Sequence, residues 1–133
     1  MLFAIPLLLI VVVIWNVLVF VTGTSLTGVA LSFGLPSGGT VALTTGEALV
    51  GFGLVLLYLE ILKSTRTSTV SIVDHILSMA LFVVVLLELI LMPAMASGPF
   101  VLIVLLTLLD IIAGFTVTIS TARRDIGLGD KVG

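Results

Sequence analysis

Asp110 stands near the middle of Pro99–Thr121, an apolar stretch that contains no other ionisable residue. A carboxyl group halfway along a membrane-length helix is costly, so it needs a partner, a proton or a task. Thr107, Asp110, Gly114, Thr118 and Thr121 recur at spacings of 3, 4, 4 and 3, which puts them on one helical face. That face is expected to look into a bundle or at a partner, with Leu105, Leu108, Ile112 and Phe115 turned toward lipid or other helices. Two chemistries fit such an acid: it relays a proton or ion, or it ties helices together by hydrogen bonding. A relay usually shows several acids or basic partners at matching depth, and on that ground the second reading is favoured.

The remaining polar residues sort by depth. Glu88 lies about one turn inside the end of the apolar stretch Ile72–Met92, and Asn16 sits at a similar depth in Leu2–Thr22. A Glu88–Asn16 hydrogen bond would hold these two stretches together; the competing reading takes Glu88 to the interface. Glu60, Lys63 and Arg66 cluster at one end of Glu47–Lys63, where Glu60 and Lys63 are predicted to form an interfacial i,i+3 salt bridge of little energetic weight. Asp74 opens the third stretch and complements a helix dipole. His75, the single histidine, could ligate a metal with Asp74 or Glu60 or titrate as a switch, but one histidine beside an acid is a weak basis for a metal site, and none is expected.

No catalytic set assembles from these parts. There is no cysteine, which excludes disulfides, thiol catalysis and thiolate metal sites. One histidine and scattered acids build neither a Ser/His/Asp set nor a phosphate loop, so the chain is not expected to be an enzyme. Five basic residues in all are too few for a nucleic-acid footprint, and no nucleic-acid partner is expected.

The elements that would position these residues follow from composition. Of 133 residues, 60% are apolar and 9% charged, and the mean hydropathy is +1.48. A soluble domain carries about 25% charged residues, so the expected solvent is lipid, and a single membrane domain is predicted. Four segments approach the roughly 20 apolar residues that a bilayer core needs: Leu2–Thr22, Glu47–Lys63, Ile72–Met92 and Pro99–Thr121. The first has no basic flank and is longer than a signal-peptide core, so it reads as a retained span. Thr44-x-x-Glu47 and Ser71-x-x-Asp74 have the form of capping boxes ahead of the second and third spans. Ser97-Gly98-Pro99 places a cap and an early proline before the fourth, and Met92-Pro93 ends the third. The fold class expected is an all-α integral membrane bundle of four helices.

Basic residues set the orientation. Lys63 and Arg66 lie between spans two and three, and Arg123, Arg124 and Lys131 lie in a tail over 122–133. The positive-inside bias puts both on the cytoplasmic side, with both termini, and a bacterial inner membrane is the expected location. Trp15 falls well inside the first span, which suits a protein-facing or pigment-facing position, or a tilted helix. Gly46, Gly51 and Gly53 thin one side of the second span and permit close helix approach.

The segment 23–45 is longer than the roughly 2–8 residues usual between helices. Within it Val29, Leu31 and Phe33 alternate with Ala30 and Ser32, and Val41 and Leu43 alternate with Thr40, Ala42 and Thr44. Pro36 suits the first central position of a type I turn and Gly38 the left-handed residue that follows. A β-hairpin over about residues 28–44 is predicted, with Leu35 opposite Gly39, Phe33 opposite Val41 and Leu31 opposite Leu43. Such a hairpin is marginal alone, and its free edge and the residues Val29, Leu31, Phe33, Val41 and Leu43 would form a docking surface.

In length and span number the chain is similar to small multidrug-resistance transporters, but their first-span glutamate has no counterpart in Leu2–Thr22. The expected function is that of a structural or accessory subunit of a larger membrane complex or homo-oligomer. Its partners are membrane lipids and other subunits or further copies. No cofactor is expected, and a bound lipid or pigment is compatible. The alternative is a small proton- or ion-coupled transporter or channel using Asp110 and Glu88, with Thr107, Thr118 and Ser78 along the path.

Overall fold

The computed structural model describes residues 4–66 and 69–130, in which four helices and one two-stranded antiparallel sheet are formed. The first helix, α1 (Leu8–Asn16), runs on into one wide π-helical turn, Val17–Val21. Fourteen residues of this helix rise only about 21 Å, short of the ~30 Å of a hydrocarbon core. The expected span Leu2–Thr22 is therefore too long: Leu2 and Phe3 lie outside the described residues, and the helix begins at Leu8. Pro6 disfavours helical backbone at Ile5 and offers no N–H of its own. The first backbone bonds accordingly run from Leu9 N to Pro6 O and from Ile10 N to Leu7 O, at 3.1 and 3.0 Å. At the other end Gly23 takes a left-handed φ of 62° and Thr24 N–H closes onto the Leu18 carbonyl at 2.9 Å.

The hairpin follows, as strands β1 (Val29–Gly34) and β2 (Thr40–Thr44). Leu31 pairs with Leu43 and Phe33 with Val41, while Leu35 N–H donates to Gly39 O at 2.7 Å. Gly38, at φ 86°, donates its N–H to Leu35 O at 2.9 Å, closing the turn around Pro36 and Ser37. The turn therefore has the chemistry that the sequence predicts. One correction concerns Val29: a bulge between Val29 and Leu31 puts Val29 opposite Thr44. Thr44 adjoins Leu43 and points the other way in the pleat, so Val29 leaves the face shared by Leu31 and Phe33.

Helix α2 (Thr45–Lys63) grows directly from β2. Thr44 caps it: its hydroxyl accepts from Glu47 N at 3.2 Å, and Glu47 Oε2 accepts from Thr44 N at 2.8 Å. Helix α3 (Thr69–Leu91) begins three residues before the expected Ile72 and is not capped by Ser71. Ser71 lies inside its first turn and donates its hydroxyl to Arg66 O. Met92 is extended, Pro93–Met95 form a single 3-10 turn, and α4 spans Gly98–Asp130. Ser97 Oγ accepts from Phe100 N at 3.3 Å, the expected cap.

The expected tail over 122–133 is corrected as well. Residues 122–130 continue α4, which reaches 33 residues, because no proline interrupts Thr121–Asp130 and loss of hydropathy does not stop a helix. Lys131 lies outside the described residues. Three helices, α2, α3 and α4 over Gly98–Gly127, are long and apolar enough to cross a membrane; Leu8–Val21 is shorter.

Helix α4 packs along both α2 and α3, and α1 packs along α2. Trp15, Leu8 and Val11 of α1, Phe100 and Ile103 of α4, Val85 of α3 and Met95 form the most deeply buried layer. Trp15 therefore faces protein, its ring 5.3 Å from that of Phe100. Gly53 sits where α1, α2 and α4 converge; a Cβ there would stand 3.0 Å from Leu106 Cδ1. Gly51, grouped with it in the sequence, faces open space.

Candidate functional site

The α2–α3 end of the bundle gathers nearly all the polar side chains of the interior. Glu60, Lys63, Asp74, His75, Ser78 and Asp110 come from three helices, and α1 adds backbone groups. Lys63 Nζ lies 3.0 Å from Glu60 Oε1 and 3.1 Å from Asp74 Oδ1. It also donates to the Ile5 carbonyl at 3.0 Å. The three donors of the ammonium are thus all engaged. Glu60 reaches further: its Oε2 accepts the Leu7 N–H at 2.7 Å, so a carboxylate of α2 caps the start of α1.

The expected interfacial Glu60–Lys63 bridge of little weight is corrected by this arrangement. Glu60 is 2% exposed and Asp74 4%, because the Ile5–Leu7 turn and the first turns of α3 close over them. Taking one partner from a buried pair leaves a charge without compensation, at a cost of about 3–5 kcal/mol. Asp74 likewise does more than face a helix dipole, since its carboxylate is held by Lys63.

Asp110 lies alongside. It is 4% exposed, faces Ser78 across the α3–α4 seam, and stands within electrostatic reach of Asp74 and Lys63. Ser78 Oγ is itself buried and meets no partner at hydrogen-bond length. The expected stripe on α4 does look inward: Thr107, Asp110 and Gly114 are buried and Thr118 and Thr121 half-buried. Its members act separately. Thr107 donates to Val104 O at 2.7 Å and Thr121 to Val117 O at 2.9 Å, both within α4. Thr118 donates to Ser64 O at 2.8 Å.

That bond fixes a neighbour. The Thr118 hydroxyl hydrogen is used on Ser64, so at 2.8 Å from His75 Nε2 its oxygen accepts, and Nε2 carries the proton. The ring stacks on Phe115 at 4.6 Å and covers Gly114, where a Cβ would stand 3.0 Å from Cε1. His75 is therefore a packing and hydrogen-bonding residue here. Among the described residues no three His, Cys, Asp or Glu side chains come together as a metal would require.

Glu88 and Asn16 are at the opposite end. Asn16 Nδ2 donates to Glu88 Oε2 at 3.3 Å, joining α1 to α3, and to Val12 O at 3.0 Å. Along α3, Glu88 is ten residues from Ser78, about 15 Å of helix, so Glu88 and Asp110 belong to separate sites. Arg66, Arg123 and Arg124 are exposed, the latter two on the α4 extension.

Beyond the hairpin end lies the expected docking surface. Every residue of β1 is exposed, with Leu31 at 52% and Phe33 at 45%; Val41 and Leu43 are half-buried. The hairpin base is fastened to the bundle by Thr45 N to Gly28 O at 2.9 Å and Gly46 N to Leu26 O at 3.0 Å. Sequence reasoning missed the Ile5 and Leu7 backbone groups and Ser64 as members of the polar cluster, and it named Ser78 only as part of a transport path. A signal for Ser78 was present: Ser71, Asp74 and Ser78 recur at spacings of 3 and 4 and are all buried, a polar face on α3 that matches the one on α4. No protein-family model, no curated protein and no solved structure matches the chain.

Proposed function

We propose that this chain is a small membrane protein of the bacterial inner membrane that acts as a structural or accessory subunit. It would carry both termini on the cytoplasmic side, together with the Lys63 cluster and the α4 extension. The observation that carries this reading is the hairpin. Leu31 and Phe33, on a strand whose outer edge is unpaired, and Leu35 just beyond it are each exposed by 42% or more, and such a surface is stable when another chain covers it. The bundle itself supports the same reading, because its ionic groups are used to hold its own helices. Gentle extraction from the native membrane followed by native mass spectrometry tests the proposal. Co-purification in fixed stoichiometry with another subunit, or as a defined homo-oligomer, is expected. A lone monomer would overturn it.

A second reading is favoured by one observation: Glu60 and Asp74 share the one ammonium of Lys63, and a third buried carboxyl group, of Asp110, stands within electrostatic reach of that cluster without, among the described residues, a cation of its own in contact. A surplus of buried acids beside an unpartnered Ser78 hydroxyl is the arrangement that a proton or small-cation carrier uses. In that reading Asp110 is the carrier and Glu88, in its separate site, is not. Proteoliposome flux that is lost in Asp110→Asn would support carriage; flux absent from the unaltered protein would remove it.

A further inference from the structure

Helices α1 and α3 flank a groove of about 550 Å³. Its walls are apolar, with Leu9, Val13, Ala80 and Val84 among them, and its one polar end is formed by Asn16 and Glu88. From Leu77 to Glu88 the groove follows eleven residues of α3, about 16 Å of rise, which matches half of a ~30 Å hydrocarbon core. Glu88 is three residues from the last residue of α3, one turn from the hairpin side. The dimensions are those of a single acyl chain belonging to the hairpin-side leaflet, with its headgroup at Glu88.

The polar end selects the headgroup. The amide nitrogen of Asn16 is spent on Val12 O and Glu88 Oε2, two acceptors, which fixes how the amide is turned. Among the described residues, Asn16 Oδ1 and Glu88 Oε1 accept no hydrogen bond. Two acceptors, one of them on a carboxylate, therefore lie together at the head of the groove. They match a primary ammonium, which brings three N–H donors and a positive charge. A quaternary ammonium has no N–H to give, and a glycerol headgroup has no cation.

We infer that the α1–α3 groove binds one aminophospholipid, its acyl chain along Leu9, Val13, Ala80 and Val84 and its primary ammonium on Glu88 and Asn16. This rests on the membrane reading proposed above. The two are separated by first testing whether the protein stays with membranes after an alkaline carbonate wash: release from the membrane would refute that reading itself. The purified, delipidated full chain is then titrated with phosphatidylethanolamine, phosphatidylcholine or phosphatidylglycerol of identical acyl chains and read by native mass spectrometry. One bound phosphatidylethanolamine is expected, preferred by about tenfold, the ratio given by one charge-assisted hydrogen bond. Glu88→Gln keeps an acceptor for Asn16 and is expected to bring phosphatidylethanolamine down to the level of phosphatidylcholine. Ala80→Phe fills the groove and is expected to remove all three lipids. Equal binding of the three lipids, or a preference unchanged in Glu88→Gln, would overturn the inference. So would a dimer of the chain that Ala80→Phe dissociates, since a second copy would then occupy the groove.

Discussion

The two ends of this molecule solve opposite problems. At the α2–α3 end, charged groups are inside: Glu60, Lys63 and Asp74 are paired with one another and with the α1 backbone, and water has little access to them. At the hairpin end, apolar groups are outside: Leu31, Phe33 and Leu35 are exposed. One end buries its charged groups within the chain and the other leaves apolar side chains exposed. On the membrane reading proposed above, the helices gain little from apolar contact with one another, so polar bonds and close packing must fasten them. A hairpin beyond the helices has backbone edges and an apolar face to satisfy, which three or more strands or a partner would do.

The difference is open to attack at both ends, and the effects should scale with it. The largest is expected from Lys63→Met, which leaves Glu60 and Asp74 without their cation and should cost about 3–5 kcal/mol. Thermal unfolding in mild detergent checks it; an unchanged midpoint would mean that the cluster does not fasten the helices. Next is Gly114→Leu, which pushes into the His75 ring and should cost about 1–3 kcal/mol by overpacking, with chemical shifts at His75 and Thr118 reporting the displacement. Gly38→Val strains a left-handed position and should cost about 1–2 kcal/mol. That loss should be confined to amide protection in the hairpin, with the bundle midpoint unmoved. The smallest effect on the chain itself belongs to Leu31→Ser combined with Phe33→Ser, within about 0.5 kcal/mol. The same pair should abolish co-purification of the partner, and retention of the partner would refute the docking role of this face.

The sequence is read best where structure is local. The hairpin register follows from two period-two runs around Pro36, Ser37 and Gly38, and the Thr44 and Ser97 caps from residues three positions apart. The start of α1 is not legible in this way, since hydropathy continues through Pro6 and only the backbone geometry there breaks the helix. The end of α4 fails for the converse reason: apolarity stops at Thr121 while helical backbone does not. The polar cluster is the hardest case. Glu60 and Lys63 look like a solvated i,i+3 pair because the groups that bury them, at Ile5, Leu7 and Asp74, come from other segments. Ser71-x-x-Asp74 has the form of a cap, yet Asp74 is engaged by Lys63 instead. Asp110 is conspicuous from the start and Ser78 is named with it on one path, but the nearness of Asp74 emerges only when α3 and α4 are laid side by side.

The clasp on α1 has a consequence for how the protein is made. The Leu7 N–H and the Ile5 carbonyl wait for Glu60 and Lys63, which lie 53 and 58 residues further along the chain. A ribosome adding about 5–20 residues per second delivers them seconds after the first helix has emerged. Until then, a helix of fourteen residues has no partner at its start, and its rise of about 21 Å is less than the thickness of a hydrocarbon core. Helix α1 is thus secured late, and on the membrane reading proposed above its insertion should remain reversible until α2 and the start of α3 have arrived.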